Sequence, residues 1–579
     1  MSTYGPESTV ADVLSDPEAQ ALVEQRLPGI FAEPELALAP FTTLDALPRF
    51  LRSVGDPAVD LTELWVELAA LPGRPAPDLP APGPPADPSG AAPGSAQLVE
   101  LAAGEQWGIT ELAWAGPSAG NPFVEVDLEV RFTGDAEVIS VRGFYDGAGI
   151  YRVRFSAPRP GLWAYATRSN VGALDGLSGT VEVAERAATN HGRVVVRDRW
   201  HFAYADGTPY LPLGTTAYAW THQPAALQEQ TLATLARAGF PKLRMCVFPK
   251  SYHYNSADPV GYPYERDADG GWDFTRFDVG FFQALERRIA QLGELGIEAD
   301  LILFHPYDRW GFSRMPVWAD RLYTAYVVRR LAAYRNVWWA LANEFDFMPA
   351  KTESDWEGIA AVIQREDHVG HLTSIHNGFL FYDHTRPWVT HCSIQSGAAE
   401  SIGAWRERYG KPVVLDEAGY EGDFEYGWGN LSAEELVRRS WEAAVRGGYL
   451  NHGETFHDEG ELVWWSKGGE LRGVSAERFR FLASLIAEAP SGRWEPLVSD
   501  FDVPCGGDDD HRLLYFGAAR PYRRTLNTPP GAWSIDVIDT WAMTVDPLPG
   551  THTGRIAVPL SGRPYQAIRL RRVEPTPNS

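Results

Sequence analysis

Two short runs carry acids to the ends of apolar stretches. "NVWWALANEFDF", residues 336–347, leads Val and Trp into Asn343, Glu344 and Asp346, and "VVLDEAGYEG", 413–422, leads into Asp416 and Glu417. Two carboxylates held on separate segments suit glycoside hydrolysis. One stays protonated for the leaving oxygen, and the other is ionised to attack the anomeric carbon or to activate water. Asp416 adjoins Glu417 and, by strand alternation, points the other way, which predicts a structural role; Asp346 is read in the same way.

The elements that must position these acids lie between about residues 191 and 490, where strand-like and helix-like segments alternate, the order of parallel βα units. Strands are expected to start at Tyr210, Lys242, Glu298, Asn336, Leu372, Val389, Pro412 and Gly448, with a crossover of weak helical pattern between the fifth and sixth. Eight such units close into a (β/α)8 TIM barrel, whose chemistry sits at the carboxyl ends of its strands. Asn343 and Glu344 then end strand 4, and Asp416 and Glu417 end strand 7. Before the barrel, residues 98–190 alternate at period two ("VEVDLEVRF", "IYRVRFSAP"), as an antiparallel β-sandwich does; alternation returns over 491–579 in a second β-sandwich-like domain. Residues 1–71 read as a small helical module, and nine prolines between Pro72 and Pro93 make 72–97 a linker.

The class is thus α/β, multidomain at 579 residues, and rich in rings that stack on sugars as well as in cores, with 21 Trp and 23 Tyr. A net charge of −25 opposes nucleic acid and anionic membranes. Cys246, Cys392 and Cys505 are widely spaced and form no CxxC pair, which reads as reduced core thiols. The first residues hold no basic or apolar leader, so a cytoplasmic location is expected, with carbohydrate as the partner and no cofactor. Homo-oligomerisation stays open, the helical module being a candidate for assembly.

An Asn-Glu pair ending strand 4 and a Glu ending strand 7 resemble the signature of the retaining glycoside hydrolases of clan A. The layout from Leu98 to Val573 also resembles proteins built from a DUF5060 β-sandwich, a DUF4038-like or apiosidase-like barrel and a DUF5605 domain. The resemblance implies that Glu344 is the general acid/base, Glu417 the nucleophile, and Asn343 a hydrogen-bond partner of the hydroxyl beside the anomeric carbon. Arg244 on strand 2 matches the clan's usual Arg, which keeps the nucleophile ionised. Retention implies carboxyl groups about 5–5.5 Å apart. Furanosides, or the side-chain sugars of plant and microbial glycans, follow only from the apiosidase likeness.

Other strand ends offer sugar contacts: His305 and Asp308 after strand 3, His376 and Asn377 after strand 5, and Gln395 after strand 6. Tyr218, Trp220 and His222 after strand 1, with Trp310, are expected as a stacking wall. Strand 8 departs from the clan, where many members place a Trp platform. Here "NHGETFHDEGELVWW" supplies His452 and Glu454, with Trp464 and Trp465 further on. The run His452, Glu454, His457, Asp458 and Glu459 has metal-binding side chains without HExxH spacing, so no metal is expected. Long loops after strands 2 and 3 would wall a pocket and favour removal of a terminal sugar. Two other readings stand beside this one: a catalytically silent carbohydrate-binding protein and a metal-dependent hydrolase.

Overall fold

The computed structural model of the chain describes residues 92–573 except 136, together with 4, 8–10, 13, 16–32, 42–44, 47, 61–71 and 81. Eight parallel strands form its centre: β1 (Thr215–Thr216), β2 (Lys242–Cys246), β3 (Glu298–Phe304), β4 (Val337–Ala342), β5 (Thr373–Ser374), β6 (Cys392–Gln395), β7 (Val413–Glu417) and β8 (Tyr449–Leu450). β1 to β5 pair in sequence order as one sheet and β6 to β8 as another. Single parallel bridges join the sheets at both seams, His376 to Ser393 between β5 and β6 and His452 to Thr215 between β8 and β1. Parallel strands covered on both faces read as near-continuous apolar runs, and every residue of β2, β3 and β4 is buried.

The connecting helices are α1 (Ala225–Ala238), α2 (Val279–Glu294), α3 (Val317–Leu331), α4 (Glu353–Glu366), α5 (Ile402–Tyr409), α6 (Ala433–Ala444) and α7 (Ser475–Ala487). Local chemistry sets their ends. Asp278 accepts the Phe281 N–H at 2.9 Å to start α2, and Thr352 with Asp355 forms a reciprocal cap on α4. Gly239 and Gly410 end α1 and α5 in the left-handed region, at φ 74° and 67°. The described β5-to-β6 crossover holds no helix, in keeping with its weak pattern.

One strand differs from expectation. Tyr210 does not open β1: Pro209–Tyr210 pairs antiparallel with His201–Tyr204, which pairs in turn with Val194–Arg197. Pro212 lacks the N–H to carry the ladder onward, so the run breaks before Thr215. Phe202 of this small sheet packs on Trp338, His391 and Tyr449, at the beginnings of β4, β6 and β8.

Two four-stranded antiparallel sheets precede the centre, one of 97–102, 110–115, 150–155 and 144–145, the other of 138–142, 128–133, 161–169 and 178–183. They share a core that includes Trp114, Phe132, Phe155 and Trp163. A buried ion network ties them to the centre. Arg330 on α3 meets Asp146 at 2.8 Å and Glu286 on α2 at 2.5 Å, and Arg154 reaches Glu286 at 3.1 Å. After α7 a six-stranded sheet and a two-stranded pair complete the chain.

Near the N-terminus, helices Pro17–Arg26 and Thr62–Ala70 bury Val23, Leu64 and Leu68 together, and Arg26 pairs with Glu63 and Glu67 at 2.9 and 2.6 Å. They are not held away from the centre, since Arg314, after β3, donates to Thr9 Oγ1 at 2.6 Å. The expected linker lies outside the described residues except for 81 and 92–97. No helix among the described residues is long and apolar enough to cross a membrane.

The charged side chains low in the strands pair with one another. Lys242 Nζ lies 3.0 Å from Asp300 Oδ2 and 2.6 Å from Asp416 Oδ1, and Asn451 donates to Asp416 at 2.7 Å. Lys242→Met leaves two fully buried carboxylates without their cation and is expected to lower stability by about 3–5 kcal/mol. The check is a lower urea midpoint for the full chain, followed by tryptophan fluorescence.

Candidate active site

Glu344 follows β4 in left-handed backbone, φ 51° and ψ 57°, a conformation that costs a residue other than glycine about 1–2 kcal/mol and persists where the surroundings dictate it. Here Asn343 Nδ2 donates to Glu344 Oε2 at 2.7 Å, and the next N–H, of Phe345, is taken by the His376 carbonyl at 3.0 Å. Glu417 ends β7. Its Oε1 accepts from Arg244 Nη1 at 3.2 Å and from the Tyr218 hydroxyl, and His376 Nε2 stands 3.4 Å away. Arg244 Nη1 also reaches Asn343 Oδ1 at 2.6 Å and the Tyr218 oxygen at 2.9 Å. One fully buried guanidinium therefore connects the ends of β4 and β7.

Both glutamates line one cavity of about 130 Å³. Its walls come from the loops after four strands: Tyr252 after β2, Tyr307 after β3, Gly419, Tyr420 and Trp428 after β7, and Trp465 after β8, with Gln395 at the end of β6. Two wall atoms have no hydrogen-bond partner among the described residues: Gln395 Oε1 and Trp465 Nε1. Buried polar atoms are seldom left unpaired, so these suit the hydroxyl groups of a bound polar molecule.

The two carboxyl groups are driven apart in acidity. Burial and the charge of Glu417 push Glu344 up to about 7, against the Lys250 ammonium and hydrogen bonds from Tyr307 and Gln395. Burial would also raise Glu417, but the His376 ring and the Arg244 and Lys250 charges outweigh it and hold the group low, at about 2. His376 itself is lowered by burial and by Arg244. The guanidinium is therefore the part of that stabilisation that does not depend on protonation. A neutral acid and an ionised carboxylate thus face one space.

The expected site residues divide. Glu344, Glu417 and Gln395 line the cavity, and Asn343 and Arg244 lie beneath it. Asn377 acts through Gln395, accepting its N–H at 3.1 Å. Trp220 does not join a stacking wall: it is fully buried and donates to Met245 Sδ at 3.3 Å. His222 bonds the Val247 carbonyl at 3.1 Å in a separate cleft lined by Val260 and Phe281. His305 is likewise turned to the Phe248 carbonyl, 3.2 Å away. Asp308 holds its own loop, accepting from the Trp310 and Ser313 N–H groups at 2.8 and 2.6 Å, and Trp310 packs beside Tyr262 and Phe312. Asp346 collects the N–H groups of Gly378, Phe379 and Leu380 at 2.5–2.8 Å. His452 and Glu454 lie off the cavity, within reach of Glu421; the three form the one group of metal-ligand type found among the described residues. The departure at strand 8 is smaller than its spacing suggests, because Trp465 swings back to the wall while Trp464 donates to Thr215 Oγ1 at 2.9 Å.

Sequence reasoning missed Tyr252, Tyr307, Tyr420, Trp428 and Lys250. Lys250, eight residues after Lys242 in "KLRMCVFPK", is buried with its ammonium 3.6 Å from the ring centre of Tyr218, 4.2 Å from Tyr307, 4.8 Å from Tyr252 and 5.2 Å from Trp465. Aromatic faces attract a cation in this range, so one charge holds three residues of the cavity wall.

A chain with a paired acid and carboxylate at the carboxyl ends of parallel strands, under an aromatic wall, fits the glycoside hydrolase class. The comparisons agree. The model of the family described as "Apiosidase-like, catalytic domain" matches residues 197–535, with the domains of unknown function DUF5060 at 103–170 and DUF5605 at 501–571. A solved structure of a candidate glycoside hydrolase from Bacteroides vulgatus ATCC 8482 is 39% identical, covers 81% of this chain and 99% of its own, and has a TM-score of 0.78. A glycoside hydrolase family 5 structure from the same organism, 15% identical over 67% of this chain and 95% of its own with a TM-score of 0.52, is alike in fold alone. No curated protein matches. The chain belongs to the apiosidase-like family and is a glycoside hydrolase.

Lys250→Met should loosen the wall and remove a positive charge near both carboxyls. In kcat/KM against pH on a nitrophenyl glycoside that the enzyme accepts, the expected result is a lower maximum and a high-pH limb moved upward, since Glu344 loses a cation that lowers it. An unmoved limb would count against an electrostatic role.

Proposed function

We propose that this glycoside hydrolase works by two-glutamate double displacement with net retention, removing one terminal sugar at a time. Glu417, kept ionised, attacks the anomeric carbon; Glu344 gives its proton to the leaving oxygen and then takes one from the incoming water. Asn343, tied to both Arg244 and Glu344, suits the hydroxyl beside the reacting carbon, where a contact that tightens in the transition state helps most. The observation that carries the reading is the opposite acidity of two carboxyls lining one cavity.

Cavity size supports exo action. By a measure in which one water occupies about 10–15 Å³, the space corresponds to about ten non-hydrogen atoms, roughly one monosaccharide. A furanose, the smaller ring, fits this reading and the family likeness. The parallel seam bridges support a closed (β/α)8 barrel over 191–490, and the paired antiparallel sheets support β-sandwich domains over 98–190 and 491–579.

Under this mechanism activity falls as pH rises through about 7, when Glu344 loses its proton, and falls again toward about 2, when Glu417 gains one. Glu344→Gln should cost about 10²–10⁴-fold on alkyl glycosides and far less on nitrophenyl glycosides, whose leaving groups need little help. Glu417→Ala should bind sugar without turnover. Proton NMR of the first-formed product is expected to show the substrate's own anomer. The opposite anomer would replace retention by inversion, and no hydrolysis over a broad panel of pyranosides and furanosides would favour a silent binding protein.

A further inference from the structure

Behind the aromatic wall, where the chain leaves β8 and crosses to β1, three buried side chains converge. The His452 ring is stacked on Phe240 with centres 4.8 Å apart and meets Phe479 edge-on. Its Nδ1 lies 3.0 Å from Thr215 Oγ1, a hydroxyl that also accepts from the Trp464 indole. Nε2 has no hydrogen-bond partner among the described residues. Glu454 uses Oε2 to accept the Arg472 N–H at 2.7 Å, and its Oε1 has none either. These two atoms face each other at 3.6 Å, on side chains 0% and 1% exposed. Glu421, across a parallel bridge from Glu454, brings a third donor atom, all three lying within 4.8 Å of one another. Its Oε1 accepts the Val474 N–H at 2.9 Å, and its Oε2 accepts the Ser475 N–H at 3.0 Å and the Ser475 hydroxyl, at the start of α7.

The charge at this spot is answered only in part, by the start of α7 at Glu421. No Lys or Arg among the described residues pairs with Glu421 or Glu454, and the nearby Arg472 guanidinium turns outward to Asp458. Carboxylates taken out of water without a cation are costly. A neutral imidazole whose Nδ1 carries the proton would point its Nε2 lone pair at Glu454, which repels unless something positive sits between them.

We propose that Glu421, His452 and Glu454 bind one divalent ion of zinc or manganese type, as a structural brace separate from the carboxyl pair. One imidazole and two carboxylates are a donor set of intermediate softness that suits these ions. Two ligands each about 2.0–2.1 Å from a tetrahedral ion stand about 3.4 Å apart, close to the separation of Nε2 and Oε1. The contact to Thr215 orients the ring in the way partners of metal-bound imidazoles do. The third ligand comes from a different segment, which is why spacing within "HGETFHDE" does not reveal it; Asp458 in that run is engaged with Arg472 instead, and the His457 backbone N–H with Asp423. An ion here would clamp the closing seam to the segment that carries Tyr420 and to the start of α7.

The test uses untagged full-length protein stripped with a chelator, then titrated with zinc or manganese by calorimetry and assayed for bound metal after gel filtration. The expected result is one equivalent bound, with a melting temperature raised by several degrees. Glu454→Gln and His452→Gln, close in shape, should bind none. The proposal is overturned if the stripped wild type takes up no stoichiometric metal, the outcome of a proton shared by His452 and Glu454 alone, or if Glu454→Gln binds as much as the wild type. Neither readout needs glycoside turnover, so this result stands apart from that of the hydrolysis assays.

Discussion

The Arg244 guanidinium stays charged at any ordinary pH, and it is wholly buried between β1 and β3. A cation in that position must be answered by negative charge and acceptors, and the groups that answer are Glu417, Asn343 and Tyr218. Together with the His376 ring, the guanidinium holds Glu417 ionised. A second carboxyl facing the same cavity then meets a negative neighbour in a dry space, and it keeps its proton to neutral pH. The His376 ring and one side chain on β2 therefore set the acidities of two chemically similar groups apart.

This sorting needs precise placement, and strand periodicity supplies it. Lys242 and Arg244 are two apart on one strand and point the same way. Lys242 meets Asp300 and Asp416, while Arg244 meets Asn343 and Glu417 one step nearer the cavity. The same alternation separates the adjacent Asp416 and Glu417. Asp416 is packed against Lys242, Asn451 and Ser393, with nothing left for a substrate, whereas Glu417 lines the cavity.

The legible part of the molecule is the part governed by period and strand order. The parallel strands, the two acids and Arg244 follow from patterns of a few residues, because a buried parallel strand has almost no freedom in where its last side chains point. The wall was hard to read for the opposite reason. Tyr252, Tyr307, Tyr420 and Trp428 sit in loops, where no periodicity ties a residue to a direction, and an aromatic there looks the same in sequence whether it lines a cavity or fills a core. Trp220 and Trp465 illustrate the ambiguity: the one next to a strand end went into the core, and the one farther along went to the wall. His222 and His305 turned to backbone carbonyls just after β2, and Asp308 to N–H groups of its own loop.

The two charged layers also account for each other. In the lower layer one ammonium serves two carboxylates, which leaves an excess of one negative charge. In the upper layer, with Glu344 protonated, the Arg244 guanidinium faces the single charge of Glu417, while burial lowers the neighbouring Lys250. The fields of Asp416 and Asp300 reach Arg244 and favour its charge, along with Tyr218 and Glu417. Lys242, though burial works against it, is held charged chiefly by Asp416 and Asp300. The negative excess of the lower layer therefore helps to hold the guanidinium of the upper layer charged. Arg244 lies on the cavity side of Lys242, beneath the carboxyl pair. Under the proposed mechanism, a cation fixed there would stabilise the charge that develops on Glu344 without any group having to move.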